Sequence, residues 1–257
     1  MRRGDLNPSN KEDEAPLVNN NNKNQDDEDP TLKLRNRSLV LPAGWAFAIW
    51  APIYVGEAAF CVAQFVDASS LYQILPQVTG PFVAANLVQS LWCASFRPSY
   101  NEGWNKYVSV AMLGGTAASL SMIPYTDIFA NSSVSSWFLV PMVMHFGWTT
   151  AATLVNLNGS VAMEPNLSNE SVLVALGHGS AVVATGLGVG LTAFGLAPPA
   201  YGLTVAWALL AVGSNIRHHS HEHHWSDVLN TGAKVLRALC YAGSALCVAA
   251  SAFSMAQ

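Results

Sequence analysis

Three segments of the chain set aromatic side chains at helical spacing beside single amide groups. Trp45, Phe47, Trp50 and Tyr54 lie in the first, Gln89, Trp92 and Phe96 in the second, and Trp148 and Asn156 in the third. Trp50 and Tyr54 are four residues apart, as are Trp92 and Phe96, so each pair shares one helix face. Aromatic surface with a few placed amides is how a pocket for an apolar molecule is lined, and it is also how helices pack, so spacing alone leaves both open. Glu57 follows Tyr54 by about one helical turn, with no other charged residue within nine positions on either side. An ionisable group in so apolar a stretch marks a candidate site. With His145 and His178 it would form a proton relay or a ligand anchor; the competing reading is a carboxyl group hydrogen-bonded between helices. A third cluster, His218, His219, His221, His223 and His224, has the composition of a zinc, nickel or copper site. Its spacing does not define one tetrahedral site, and a pH-responsive solvated loop is the alternative.

Other chemistry finds no support. No Ser-His-Asp or Cys-His arrangement and no paired acids suggest hydrolysis, so an enzyme is not expected. Gly186-Leu187-Gly188-Val189-Gly190 lies inside an apolar stretch instead of between a strand and a helix. It therefore reads as a Gly186/Gly190 face for close helix contact and not as a nucleotide loop. Gly114, Gly115 and Ala118 read the same way. Cys61, Cys93, Cys240 and Cys247 fall in apolar stretches and read as small buried residues.

The elements that must hold these residues follow from where charge is absent. Of 28 Lys, Arg, Asp and Glu side chains, 15 lie in the first 38 residues. The remaining residues carry 13, about 6%, against roughly 25% in an ordinary soluble domain. Residues 1–38, with Asn19-Asn20-Asn21-Asn22 and Asp26-Asp27-Glu28-Asp29, read as a disordered polar tail. The rest reads as an all-α, polytopic transmembrane helix bundle of about seven spans: 40–65, 80–97, 106–126, 136–157, 171–194, 199–216 and 235–255. Alternation of seven spans places all 12 Lys and Arg on the side of the amino terminus. The positive-inside rule makes that side cytoplasmic or its equivalent and leaves the carboxyl terminus opposite.

The aromatic segments resemble a known family. Pro42 through Trp50 and Tyr54 is similar to the second helix of the TspO/MBR superfamily (translocator protein / tryptophan-rich sensory protein), which runs from a Pro-rich, Trp-containing start into Trp-x-x-x-Tyr. Gln89, Trp92 and Phe96 resemble Asn-x-x-Trp-x-x-x-Phe of its third helix, with Gln in place of Asn. Trp148, Thr150, Ala151, Ala152, Thr153 and Asn156 match Trp-x-Thr-Ala-Ala-Thr-x-x-Asn of its fifth, the most specific string of the three. The resemblance covers about residues 40–158. It implies a TspO-like core in spans one to four (39–158), in a long variant with three additional spans over 171–257 and a His-rich loop at 217–227. It further implies a Trp-lined cavity for a tetrapyrrole, sterol or related hydrophobic ligand, a porphyrin or haem-like molecule among them. Asn156-Leu157-Asn158-Gly159-Ser160 lacks the Tyr and basic residue of the family's sterol stretch.

The expectation is a multi-pass membrane protein that binds a hydrophobic ligand in sensing or transport. A proton- or metal-coupled transporter using Glu57, His145, His178 and the histidine loop is the second reading, and a structural protein without a ligand is the third. The partners are the lipid bilayer and a hydrophobic small molecule, with a homodimer left open and no nucleic acid.

Overall fold

The computed structural model describes residues 34–66, 71–95, 98–131, 136–167, 169–222 and 225–257. Seven long helices and one short one make up the described part, with no strand among the described residues. A 3-10 turn over Gly44–Ile49 leads into α1 (Trp50–Val66). Then follow α2 (Leu75–Ala94), α3 (Val108–Ser121), the short α4 (Tyr125–Asn131) and α5 (Ser136–Ala162). The chain ends in α6 (Glu170–Ala193), α7 (Pro199–Glu222) and α8 (Asp227–Met255). Six helical stretches are long and apolar enough to cross a membrane, α3 counting together with the turn before it and α4 after it as Gly103–Asn131. The remaining long helix, α2, has 20 residues, the usual crossing length, but carries Gln77, Asn86 and Gln89 within them.

Helix ends are where the sequence puts capping chemistry. The Asn169 side chain accepts from Ser171 N–H at the start of α6, and Ser226 Oγ accepts from Leu229 N–H at the start of α8. After α6, Gly195 takes a φ of 67°, and the N–H groups of Leu196 and Ala197 return to the Leu191 carbonyl at 2.8 Å each. Pro198 and Pro199 then start α7 with no N–H to lose.

The helices occupy the expected stretches with shifted ends. α2 starts at Leu75, before position 80, and α8 at Asp227, before position 235. α7 runs past position 216 to Glu222, so much of the expected histidine loop carries helical backbone. An apolar window marks only the part of a helix that suits lipid, whereas backbone hydrogen bonds continue into polar sequence until a cap ends them. Inside the expected tail, residues 34–38 are described: Leu34 and Arg35 form a helical turn, and Ser38 is buried. Residues 1–33 lie outside the described residues.

α5 is the hub, in contact with α1, α3, α4, α6 and α7, whereas α1 meets α5 as its principal helix neighbour. The two approach closely at Gly56, because a Cβ there would overlap the ring of Pro141 in α5. In α6–α8 the close contacts also come from glycines, but not from the expected pair. A Cβ on Gly188 would lie 2.5 Å from Cys247 Sγ in α8, while Gly186 and Gly190 have nothing within 4 Å. Gly188 shares the buried face of α6 with Ala181, Ala184 and Thr192, and its two glycine neighbours point off that face. Gly114 and Gly115 behave as expected: one faces Thr153 of α5 and the other Val88 of α2.

Candidate functional site

The Trp-x-Thr string in α5 solves a problem of polarity first. Thr149, Thr150 and Thr153 donate to the carbonyls of His145, Phe146 and Thr149, and Asn156 Nδ2 donates to Ala152 O at 2.9 Å. Each polar side chain is thereby satisfied on its own helix, as an apolar environment requires. The helix can then present Trp148, only 4% exposed, to its neighbours.

Trp50 is the centre of the aromatic group. Tyr54 stacks on it at 5.0 Å with planes 10° apart, and it meets His145 at 5.5 Å and Trp148 at 6.2 Å in near-perpendicular geometry. Phe47 meets Trp148 the same way at 5.7 Å. Such pairs contribute about 0.5–1.5 kcal/mol each beyond burial. Beside them lies an enclosed apolar cavity of about 80 Å³. Of the residues singled out in the sequence, Phe47, Trp50, Trp92, Trp148 and Asn156 line it. Trp45 does not: it packs edge-on against Trp207 of α7 at 4.6 Å, and Trp207 Nε1 donates to Ala46 O. Tyr54 stands behind Trp50, and Gln89 is buried on α2 away from the cavity wall, with neither amide atom hydrogen-bonded. Phe96 lies outside the described residues.

The opposite wall comes from residues of α6–α8 that carried no chemical signal in the sequence. Ser180 and Ala184 of α6, Ala208 and Val212 of α7, and Leu236 and Cys240 of α8 close the space. The cavity thus involves the whole bundle and not the first four spans alone. Its volume is well below the roughly 300 Å³ at which ligand pockets begin, and below the ~150 Å³ apolar cavity that takes up benzene. The porphyrin or haem-like ligand implied by the resemblance has no room in this conformation. A wider open groove of about 410 Å³, lined by Ile49, Pro52, Met144, Leu203 and Trp207 among others, runs between α1, α5 and α7.

Glu57 and His145 are brought together: Glu57 Oε1 and His145 Nδ1 lie 2.7 Å apart, with both side chains buried. The Gly56–Pro141 contact, one residue and one turn away, holds the two helices at that distance. His145 Nε2 is buried without a hydrogen-bond partner, while its ring faces Trp50 and, at 6.5 Å, Tyr54. His178 is not part of this group; its Nε2 pairs with the Gly232 carbonyl of α8 at 2.9 Å and joins α6 to α8. For His218, His219 and His221 only the helical backbone is described, and His223 and His224 lie outside the described residues. No group of metal-ligating side chains forms among the described residues.

A second, polar pocket of about 90 Å³ sits at one end of the bundle, and of its residues the sequence marked only Asn156 as a candidate. Lys106 Nζ pairs with Glu164 Oε1 there at 2.8 Å, and Tyr107 Oη donates to the same oxygen. Lys106 holds the Glu164 carboxyl below the usual carboxylate range by its hydrogen bond, despite an opposing effect of burial. Asn156 lines this pocket as well as the apolar cavity.

Neither a curated protein nor a solved structure matches the chain. The sequence profile of one family, described as TSPO-like protein, matches residues 18–253. That range includes α6, α7 and α8 as well as the helices before them. An all-α bundle of apolar helices, a tryptophan-lined cavity on its central helix and a profile match over nearly the whole length agree: the chain belongs to the TSPO-like protein family.

Proposed function

We propose that this TSPO-like membrane protein binds a hydrophobic molecule, or the apolar part of one, between α1, α5 and α6–α8, in a sensing or transport role. The observation that carries the reading is the enclosed cavity walled by Phe47, Trp50, Trp92 and Trp148, with Asn156 as a polar orienting group. Its size matches a short length of hydrocarbon chain, and a flat ring the size of naphthalene enters only as α1 gives way. A tetrapyrrole would have to displace α1, whose principal helix neighbour is α5. The reading includes a topology in which seven helices cross in alternation, the amino terminus is cytoplasmic and the carboxyl terminus lies opposite.

The test is tryptophan fluorescence of the full chain in nanodiscs, titrated with naphthalene and separately with a porphyrin. Saturable binding of naphthalene, weakened several-fold by Trp148→Phe and by Trp50→Phe but not by Trp45→Phe, is expected. A response that never saturates with either probe, or that Trp45→Phe abolishes, sinks the reading.

A second reading, proton-coupled transport, is supported by the buried Glu57–His145 pair. Its check is flux in liposomes across a pH gradient. If Glu57→Gln leaves flux unchanged at every pH, the pair has no part in transport.

A further inference from the structure

Arg35 and Arg37 lie in the segment before the 3-10 turn that leads into α1, yet their guanidinium groups are treated differently. Arg37 Nη2 donates to the Leu167 carbonyl at 2.8 Å. Among the described residues, no carboxylate or carbonyl pairs with the guanidinium of Arg35, which is half-buried and lines the polar pocket. The side chain lies against the backbone of α5 at Gly159, where an added Cβ would come 3.2 Å from Arg35 Nε. Burial lowers the basicity of Arg35, and no acid among the described residues offsets that effect. A guanidinium partly withdrawn from water without a counter-ion suits an anionic partner.

The rest of the pocket suits that something. Lys106 supplies a second cation, Asn101 and Asn105 supply amides, and no carboxylate lines the space among the described residues. Its volume of about 90 Å³ is several times the roughly 10–15 Å³ that a single water needs, so it has room for one phosphate or carboxylate group. An arginine fork with a nearby ammonium is chemistry for such an oxyanion. Asn156 belongs to the walls of both the polar pocket and the apolar cavity, so the two spaces adjoin at one side chain.

We propose that Arg35 and Lys106 bind the phosphate or carboxylate head of an anionic amphiphile whose apolar part passes Asn156 into the tryptophan-lined cavity. The placement of the tail rests on the proposed function above; the head-group site does not. A lipid head group and a free phosphorylated or carboxylated amphiphile present the same chemistry to this pocket.

The experiment is calorimetric titration of the full chain in phosphatidylcholine nanodiscs, with empty discs subtracted, using dodecyl phosphate and its uncharged counterpart dodecanol. Dodecyl phosphate should bind about tenfold more tightly, as a charge-assisted contact would give. Arg35→Gln should remove that advantage and leave dodecanol unchanged. Glu164→Gln, which frees Lys106 of its counter-charge at a partly exposed position, should increase the advantage several-fold. These opposite responses also separate a binding role from simple damage to the fold. Loss of the advantage when phosphatidic acid is added to the disc assigns the site to a lipid head group; loss on adding millimolar inorganic phosphate alone assigns it to a free anion. Equal affinity for the two probes, with sensitivity to Trp148→Phe retained, overturns the head-group site and keeps the cavity. An effect of phosphatidic acid or phosphate that Arg35→Gln removes, with no dodecanol binding, keeps the head-group site and overturns the cavity. An advantage that appears only after Asp26, Asp27 and Asp29 are changed to Asn and Glu28 to Gln gives the pocket to the chain's own acidic segment and overturns the proposal.

Discussion

Two short acid–base contacts tie distant segments together among the described residues, and they differ less in length than in what surrounds them. Glu57 meets His145 at 2.7 Å with side chains 5% and 0% exposed; Lys106 meets Glu164 at 2.8 Å, but the carboxylate is 40% exposed. Attraction at equal distance is stronger where water is absent, and so is the cost of leaving one partner alone. Glu164 can exchange Lys106 for solvent. Glu57 and His145 have no such exchange, so the inner pair commits α1 to α5, whereas the outer pair trims the end of the bundle.

The largest effect should follow from breaking the inner pair. Glu57→Ala strands His145 Nδ1 and should lower the unfolding free energy by about 3–5 kcal/mol, the usual range when one member of a buried pair is removed. Glu57→Gln retains an acceptor for the imidazole and should cost only about 1–2 kcal/mol, the order of one hydrogen bond with a charged group. Denaturant unfolding in lipid micelles measures both. Equal losses for Ala and Gln would mean that packing, and not the contact with His145, carries the effect.

Next in size is the backbone approach that makes the pair possible. A Cβ at Gly56 would enter the Pro141 ring, and overpacking of this kind costs about 1–3 kcal/mol. Gly56→Ala should therefore destabilise by that amount, and adding Pro141→Ala should restore most of it, a coupling read from a double-mutant cycle. Additive losses in the cycle would place the two residues in separate contacts.

These cases also show what was legible in the residues alone. Seven apolar stretches poor in charge marked the long helices, because an apolar run of about 20 residues has few other uses. Glu57 and His145 stood out for the complementary reason, as ionisable groups in apolar sequence. That they meet while His178 turns to Gly232 depends on helix rotation, which composition does not encode. The glycine face of α6 was legible as a kind of contact but not in phase: Gly188 packs where Gly186 and Gly190 were expected. A third of the cavity wall is alanine, valine, leucine and serine from α6–α8, residues that look the same wherever they pack. Arg35 was hidden differently, among the basic and acidic residues of a polar segment, with nothing to mark it as the one that reaches α5.

The outer pair gives the smallest effect and the one with a pH signature. Glu164→Gln should lower stability at neutral pH by less than about 1 kcal/mol, as for other solvent-exposed ion pairs. Because Lys106 holds the Glu164 carboxyl below its ordinary range, the folded state binds that proton less readily than the unfolded chain. The contribution is therefore complete above the unfolded value of about 4.3 and is lost as pH falls through the lower folded value. Wild type and Glu164→Gln should accordingly differ at pH 7 and converge in acid, below about pH 4. A gap that stays constant from pH 7 to pH 3 would show that Glu164 acts as a neutral hydrogen-bonding group, for which Tyr107 is the available partner, and the contrast between the two pairs would then be one of packing and not of charge.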